Sequence, residues 1–156
     1  NFRRSNGTLI SNVKKTLTMV WPVGYFIRTA MENEYSVDKV LKLAETTKFI
    51  SPCYITIVEP DKTTVLIRDD DKLVQKKVTE TKLVQTNNDE ISTVNILYSN
   101  ERKSKAYKIL ESIKSLPNIN TYEDMLKKFS VYPIINEETV YVSILDPNNG
   151  FVLTMV

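Results

Sequence analysis

The sequence contains no histidine and a single cysteine, Cys53, in 156 residues. Without histidine there is no Ser-His-Asp triad, no Cys-His dyad and no imidazole acid or base. Zinc sites need several Cys or His ligands, so zinc is nearly excluded as well, and no metal or other cofactor is expected. One cysteine has no partner within the chain, so an internal disulfide is impossible. Glycine is scarce, with three residues, and turns fall mostly to Pro, Asn and Asp. No apolar run approaches the ~20 residues of a membrane span, and no signal peptide is visible. Neither sign of charge dominates: 21 Lys and Arg against 19 Asp and Glu give a net charge of +2. The densest basic stretch, Arg102-Lys103-Ser104-Lys105 with Lys108, is short and stands at a helix start. It reads as a solvated helix face rather than a phosphate track, and no nucleic-acid partner is expected. Any chemistry must use carboxylates, Lys, Arg, Tyr, hydroxyls or amides, or borrow a group from elsewhere.

What is present is the composition of an ordinary globular chain, 42% hydrophobic and 26% charged, of a size for one domain or part of one. Val20 to Glu32 carries apolar residues at helical spacing, with Pro22 tolerated in the first turn. Ser36 caps a second helix with the stripe Val37, Val40, Leu41 and Ala44. Pro52 breaks the chain. Cys53–Val58 is a β-branched and aromatic run, hence a strand, with Thr64 to Arg68 its hairpin partner across Pro60-Asp61. Lys72 to Val78 and Leu83 to Thr86 read as further strands. Helical periodicity returns after Ser99 and stops at Pro117. Thr121 caps a helix buried through Met125, Leu126 and Phe129. Thr139 to Leu145 and Phe151 to Met155 read as strands joined by Asp146-Pro147-Asn148-Asn149-Gly150. Grouped helices and antiparallel strands predict an α+β fold with helices layered on a sheet.

Trp21, Tyr25 and Phe26 at helical spacing read as core rather than a ligand cage. Cys53 lies inside an apolar strand with nothing nearby in sequence to lower its pKa, so it reads as buried and inert. Asp69-Asp70-Asp71 lacks the spacing and glycine of a calcium loop and reads as a solvated turn. Asn6-Gly7-Thr8 would accept an N-glycan at Asn6 in a secretory protein. Asn1-Phe2-Arg3-Arg4 does not read as a natural beginning and points to a processed, trimmed or partial chain.

Two segments go further. One is Gly24-Tyr25-Phe26-Ile27-Arg28-Thr29-Ala30-Met31-Glu32-Asn33 through Tyr35-Ser36 to Ile50-Ser51-Pro52-Cys53-Tyr54. The other is Val84-Gln85-Thr86-Asn87-Asn88-Asp89 followed by Asn100-Glu101-Arg102-Lys103-Ser104. Ile67-Arg68-Asp69, Phe129-Ser130-Val131-Tyr132-Pro133-Ile134 and Thr139-Val140-Tyr141-Val142-Ser143 continue the same order. Together they resemble the C-terminal half of the acid ceramidase and N-acylethanolamine-hydrolysing acid amidase family, over nearly the whole chain from Trp21 onward.

That resemblance implies half of an N-terminal-nucleophile hydrolase, a partial αββα sandwich, with residues 1–156 forming a single incomplete domain. It implies cleavage of fatty-acyl amides by a cysteine nucleophile upstream of this chain, whose own α-amine serves as base and needs no histidine. It implies as partners an acyl-amide lipid, a membrane surface for substrate access, and the upstream part of the same precursor. The location implied is lysosomal or secreted. Asn87 takes the place of the family's oxyanion-binding asparagine, and Arg102 that of an arginine that organises the site's carboxylates and favours the thiolate. Without the resemblance, Asn87-Asn88 reads as a turn and Arg102 as a surface residue at a helix start. The sequence departs from the family at Asn88, where a tyrosine is usual, at Val58-Glu59 in place of a glycine pair, and at Phe2 in place of a site glutamate. These departures keep open a non-catalytic lipid-binding or interaction module built on the same fold.

Overall fold

The computed structural model describes residues 20–89, 96–113 and 121–155, with Val13 and Leu17. It is α+β, with antiparallel sheets of three and two strands among the described residues. The chain divides into two compact units, Asn1–Ile57 with Thr63–Thr79 and Val58–Lys62 with Glu80–Val156.

In the first unit, helix α1 (Val23–Glu32) starts after Pro22, later than the periodicity predicts. The backbone of Trp21 is already committed: its N–H donates to the Lys48 carbonyl at 3.1 Å, and its carbonyl accepts from the Ile50 N–H at 3.1 Å. Phe26 and Ala30, four residues apart, face inward and are buried. Trp21 and Tyr25 do not join the core as expected. They are 38% and 59% exposed, and their rings touch each other at 5.3 Å, because Tyr25 lies one step off the inward stripe. Helix α2 (Val37–Thr46) is capped by Ser36, whose hydroxyl accepts the Lys39 N–H.

Strands β1 (Cys53–Val58), β2 (Thr63–Arg68) and β3 (Leu73–Thr79) form a sheet in the order β1-β2-β3. The central strand is buried from Thr64 to Arg68. The core combines Phe26, Ala44, Phe49, Cys53, Ile55 and Leu66, with Phe26 and Phe49 edge to face at 5.3 Å. Burial holds the Cys53 thiol above its ordinary pKa. We therefore expect Cys53 to resist Ellman's reagent in the native protein and to react at once in denaturant. Above about pH 8.5 the unfolded state loses a thiol proton that the native state keeps, so stability falls as pH rises there. Rapid native-state labelling at neutral pH would contradict this burial.

Arg68 ends β2 just past a register shift, where Ile67 pairs with Gln75 but Arg68 pairs with Leu73. Its side chain is fully buried. Nη1 donates to the carbonyls of Ala44 and Glu45 and Nη2 to that of Thr47, each at 2.6 Å. Those are the orphan carbonyls at the C-terminal end of α2, where the helix dipole favours a cation. The guanidinium also lies 5.1 Å from the Phe49 ring centroid. Desolvation lowers its pKa from the usual arginine value.

In the second unit, a short 3₁₀ turn (Ile96–Tyr98) leads into α3 (Ser99–Ile113). Helix α4 (Tyr122–Phe129) is capped by Thr121, whose hydroxyl accepts the Asp124 N–H at 3.1 Å. Strands β4 (Val142–Asp146) and β5 (Phe151–Met155) form a hairpin. β4 begins three residues later than expected, because Thr139 is used in a turn. Its N–H donates to the Asn136 carbonyl at 2.9 Å, and its hydroxyl accepts the Asn136 N–H at 3.0 Å. Tyr122 stacks on Phe151 at 4.3 Å and donates its hydroxyl to Asp146. The Tyr122 hydroxyl, with the Asn149 amide, holds the Asp146 carboxyl below its ordinary range.

Leu83 to Thr86 is not a strand; the described backbone there is irregular. The Gln85 amide donates to the carbonyls of Thr86 and Asn88, at 2.8 and 3.0 Å. Side chains thus occupy carbonyls that a β ladder would need.

Candidate functional site

The irregular segment of the second unit buries three consecutive polar residues, Thr86, Asn87 and Asn88, at 5%, 7% and 8% exposure. Burying polar groups is costly unless each is hydrogen-bonded. The Thr86 hydroxyl donates to Asn88 Oδ1 at 2.8 Å, and the Asn88 amide donates to Asn100 Oδ1 on the first turn of α3. Asn88 thus tethers the segment to the helix. Ser99, fully buried, donates its hydroxyl to the Ile96 carbonyl.

Within this frame the two residues marked by the resemblance meet. Arg102 Nη2 donates to Asn87 Oδ1 at 2.6 Å. The same nitrogen lies 3.4 Å from the Ile96 carbonyl and from Ser99 Oγ. The bond to Arg102 settles which end of the Asn87 amide is oxygen and which is Nδ2. It also polarises the amide, strengthening its N–H groups as donors.

Several features of this arrangement disfavour stability. Arg102 puts a cation in the first turn of α3, the end where the helix dipole favours an anion. The guanidinium is half-buried, its Nε is buried with no hydrogen-bond partner among the described residues, and desolvation lowers its pKa. Immediately before the helix, Leu97 and Tyr98 both take left-handed backbone angles, with φ of 50° and 56°. Such residues cost about 1–3 kcal/mol each and cluster where function holds them. α3's N-terminal dipole, Arg102 and the Arg102-bound Asn87 amide thus meet at one corner of the second unit, with Glu101 in the same first turn.

The sequence marks Asn88 as a departure from the resemblance and Asn100 only as part of a matching segment; neither hydrogen bond is legible there. Ser99 has no signal of its own beyond its place at the helix start. Asn6 and Phe2 lie outside the described residues. Among the described residues, no group of three or more His, Cys, Asp or Glu side chains stands together to hold a metal. No described helix is long and apolar enough to cross a membrane. Separately, the first unit carries an apolar groove of about 510 Å³ between α1 and β1. Phe26, Ala30, Met31, Ile55 and Ile57 line it, with Glu34 also on its wall.

No protein-family profile matches this chain. It is similar to an uncharacterized protein of Acanthamoeba polyphaga mimivirus, at 35% identity over 150 residues. The alignment covers 90% of this chain and 45% of the viral protein, so the chain spans less than half the length of that relative.

Proposed function

We propose that this chain is the C-terminal half of a fatty-acyl amide hydrolase of the acid ceramidase type. Its nucleophile, the N-terminal cysteine of a processed subunit, lies in the part of the longer protein that precedes it. The observation that carries the reading is the Arg102–Asn87 hydrogen bond. It joins the two positions that the ordered resemblance marks as site residues, 15 residues apart in sequence. The greater length of the viral relative accords with a longer protein.

In this reading the cysteine thiol gives its proton to its own α-amine and attacks the amide carbonyl. The carbonyl oxygen gains negative charge, and Asn87 Nδ2 donates to it. Arg102 holds the Asn87 amide in the orientation this requires and adds positive potential. As the C–N bond breaks, the α-ammonium returns the proton to the leaving amine, leaving an acyl thioester. Water then releases the fatty acid and restores the thiol.

The test is hydrolysis of a fluorescent acyl amide at acidic pH by the longer protein, beside a variant with the upstream cysteine changed to alanine. Turnover lost in the variant supports the reading; equal rates overturn it.

A further inference from the structure

The turn Asp146-Pro147-Asn148-Asn149-Gly150, which joins β4 to β5, has no part in the proposed hydrolysis. One carboxylate fastens it. Asp146 Oδ1 accepts the backbone N–H groups of Asn148 at 2.9 Å and Asn149 at 3.4 Å. Asp146 Oδ2 accepts the Tyr122 hydroxyl from α4 and the Asn149 side-chain amide, the latter at 2.7 Å. Asn149 Nδ2 also lies 3.4 Å from the Tyr122 hydroxyl oxygen. Tyr122, Asp146 and Asn149 thus close a triangle that clasps the hairpin tip to α4, beside the stack of Tyr122 on Phe151.

Asn149 is also the one asparagine among the described residues that precedes a glycine; Asn6-Gly7 lies outside them. The turn itself requires this glycine, because Gly150 has a left-handed φ of 60°. Gly150 has no Cβ to hinder its backbone nitrogen, and nothing lies within 4 Å of where one would stand. Both residues are exposed to water.

We propose that Asn149 is a deamidation site, and that its conversion releases the hairpin tip from α4. The Gly150 backbone nitrogen attacks Asn149 Cγ and forms a new C–N bond. The Cγ–Nδ2 bond breaks, and the Gly150 N–H proton leaves with the amide nitrogen as ammonia. Water then opens the cyclic imide at either carbonyl, giving aspartate or isoaspartate, with no oxidation or reduction. Aspartate puts a second carboxylate where a donor stood 2.7 Å from Asp146 Oδ2. Like charges at that range repel, and only the Tyr122 hydroxyl remains to bridge them. Isoaspartate adds a backbone carbon to the loop between Asp146 and Phe151, whose pairing depends on the loop's length. The inference rests on the turn alone and stands whether or not the longer protein hydrolyses amides.

The test warms the chain in mildly alkaline buffer and maps its peptides by mass spectrometry, with fragmentation that separates aspartate from isoaspartate. Product at Asn149 should accumulate at least about tenfold faster than at Asn148, whose follower carries a side chain. Equal rates at the two positions would overturn the site. Asn149→Gln, whose amide would have to close a larger ring, should form no product there; conversion at the wild-type rate would overturn the imide route. Backbone hydrogen exchange of residues 142–146 and 151–155 reads the release. Asn149→Ala removes the donor and Asn149→Asp also adds the charge, so exchange should quicken in that order, by about tenfold or more in Asn149→Asp. Exchange in Asn149→Asp equal to wild type would overturn the release. Exchange equal to that of Asn149→Ala would overturn repulsion as its cause.

Discussion

Replacing Arg68 with methionine is expected to destabilise this chain by about 3–5 kcal/mol, a large share of the stability of a domain this size. Methionine fills much of the same volume but donates no hydrogen bond. It leaves the buried carbonyl of Ala44 and the part-buried carbonyls of Glu45 and Thr47 at the end of α2 with their shared donor gone. It also removes the cation from that end of the helix dipole and from the Phe49 ring. Lysine should recover only part of the loss, because one ammonium cannot reproduce the planar fork that reaches three carbonyls. Urea denaturation followed by the fluorescence of Trp21, the sole tryptophan, would report both variants. A loss below about 1 kcal/mol for Arg68→Met would show that the anchor is not what ties β2 to α2.

The second large effect is catalytic. In the longer protein, Asn87→Ala should lower kcat for an acyl amide about 10²–10³-fold with little change in KM, the pattern for a donor used mainly in the transition state. Arg102→Lys should fall between wild type and Asn87→Ala, because an ammonium keeps the charge but holds the Asn87 oxygen less firmly. A KM effect without a kcat effect would instead make Asn87 a ground-state contact.

How far these features could be read from sequence depends on their range. Strand β1 matches the β-branched run Cys53–Val58, and the Ser36 and Thr121 caps sit where their side chains meet the next turn, because both signals are local. Leu83 to Thr86 failed as a strand because Gln85, Thr86 and Asn88 form side-chain bonds that propensity does not register. Tyr25 has the composition of a core residue, but its outward side depends on where α1 begins, which the Trp21 backbone sets through Lys48 and Ile50. The anchoring role of Arg68 was invisible, since its carbonyl partners lie 21 to 24 residues away and only the folded sheet brings them near. Asn87 and Arg102 emerged through the resemblance alone; by themselves they read as a turn and a helix surface. Their meeting in the fold belongs to the structure.

The most direct test of the account is Asn87→Asp in the longer protein, compared with wild type on a fluorescent acyl amide. Aspartate keeps the shape of asparagine and can still accept from Arg102. It loses the amide N–H groups and places a negative charge beside the developing oxyanion. Wild type is expected to hydrolyse the amide and Asn87→Asp to lose at least about 100-fold in kcat, with the thermal midpoint little changed. Turnover by Asn87→Asp within a few-fold of wild type, or no hydrolysis by the wild-type protein, would contradict this expectation.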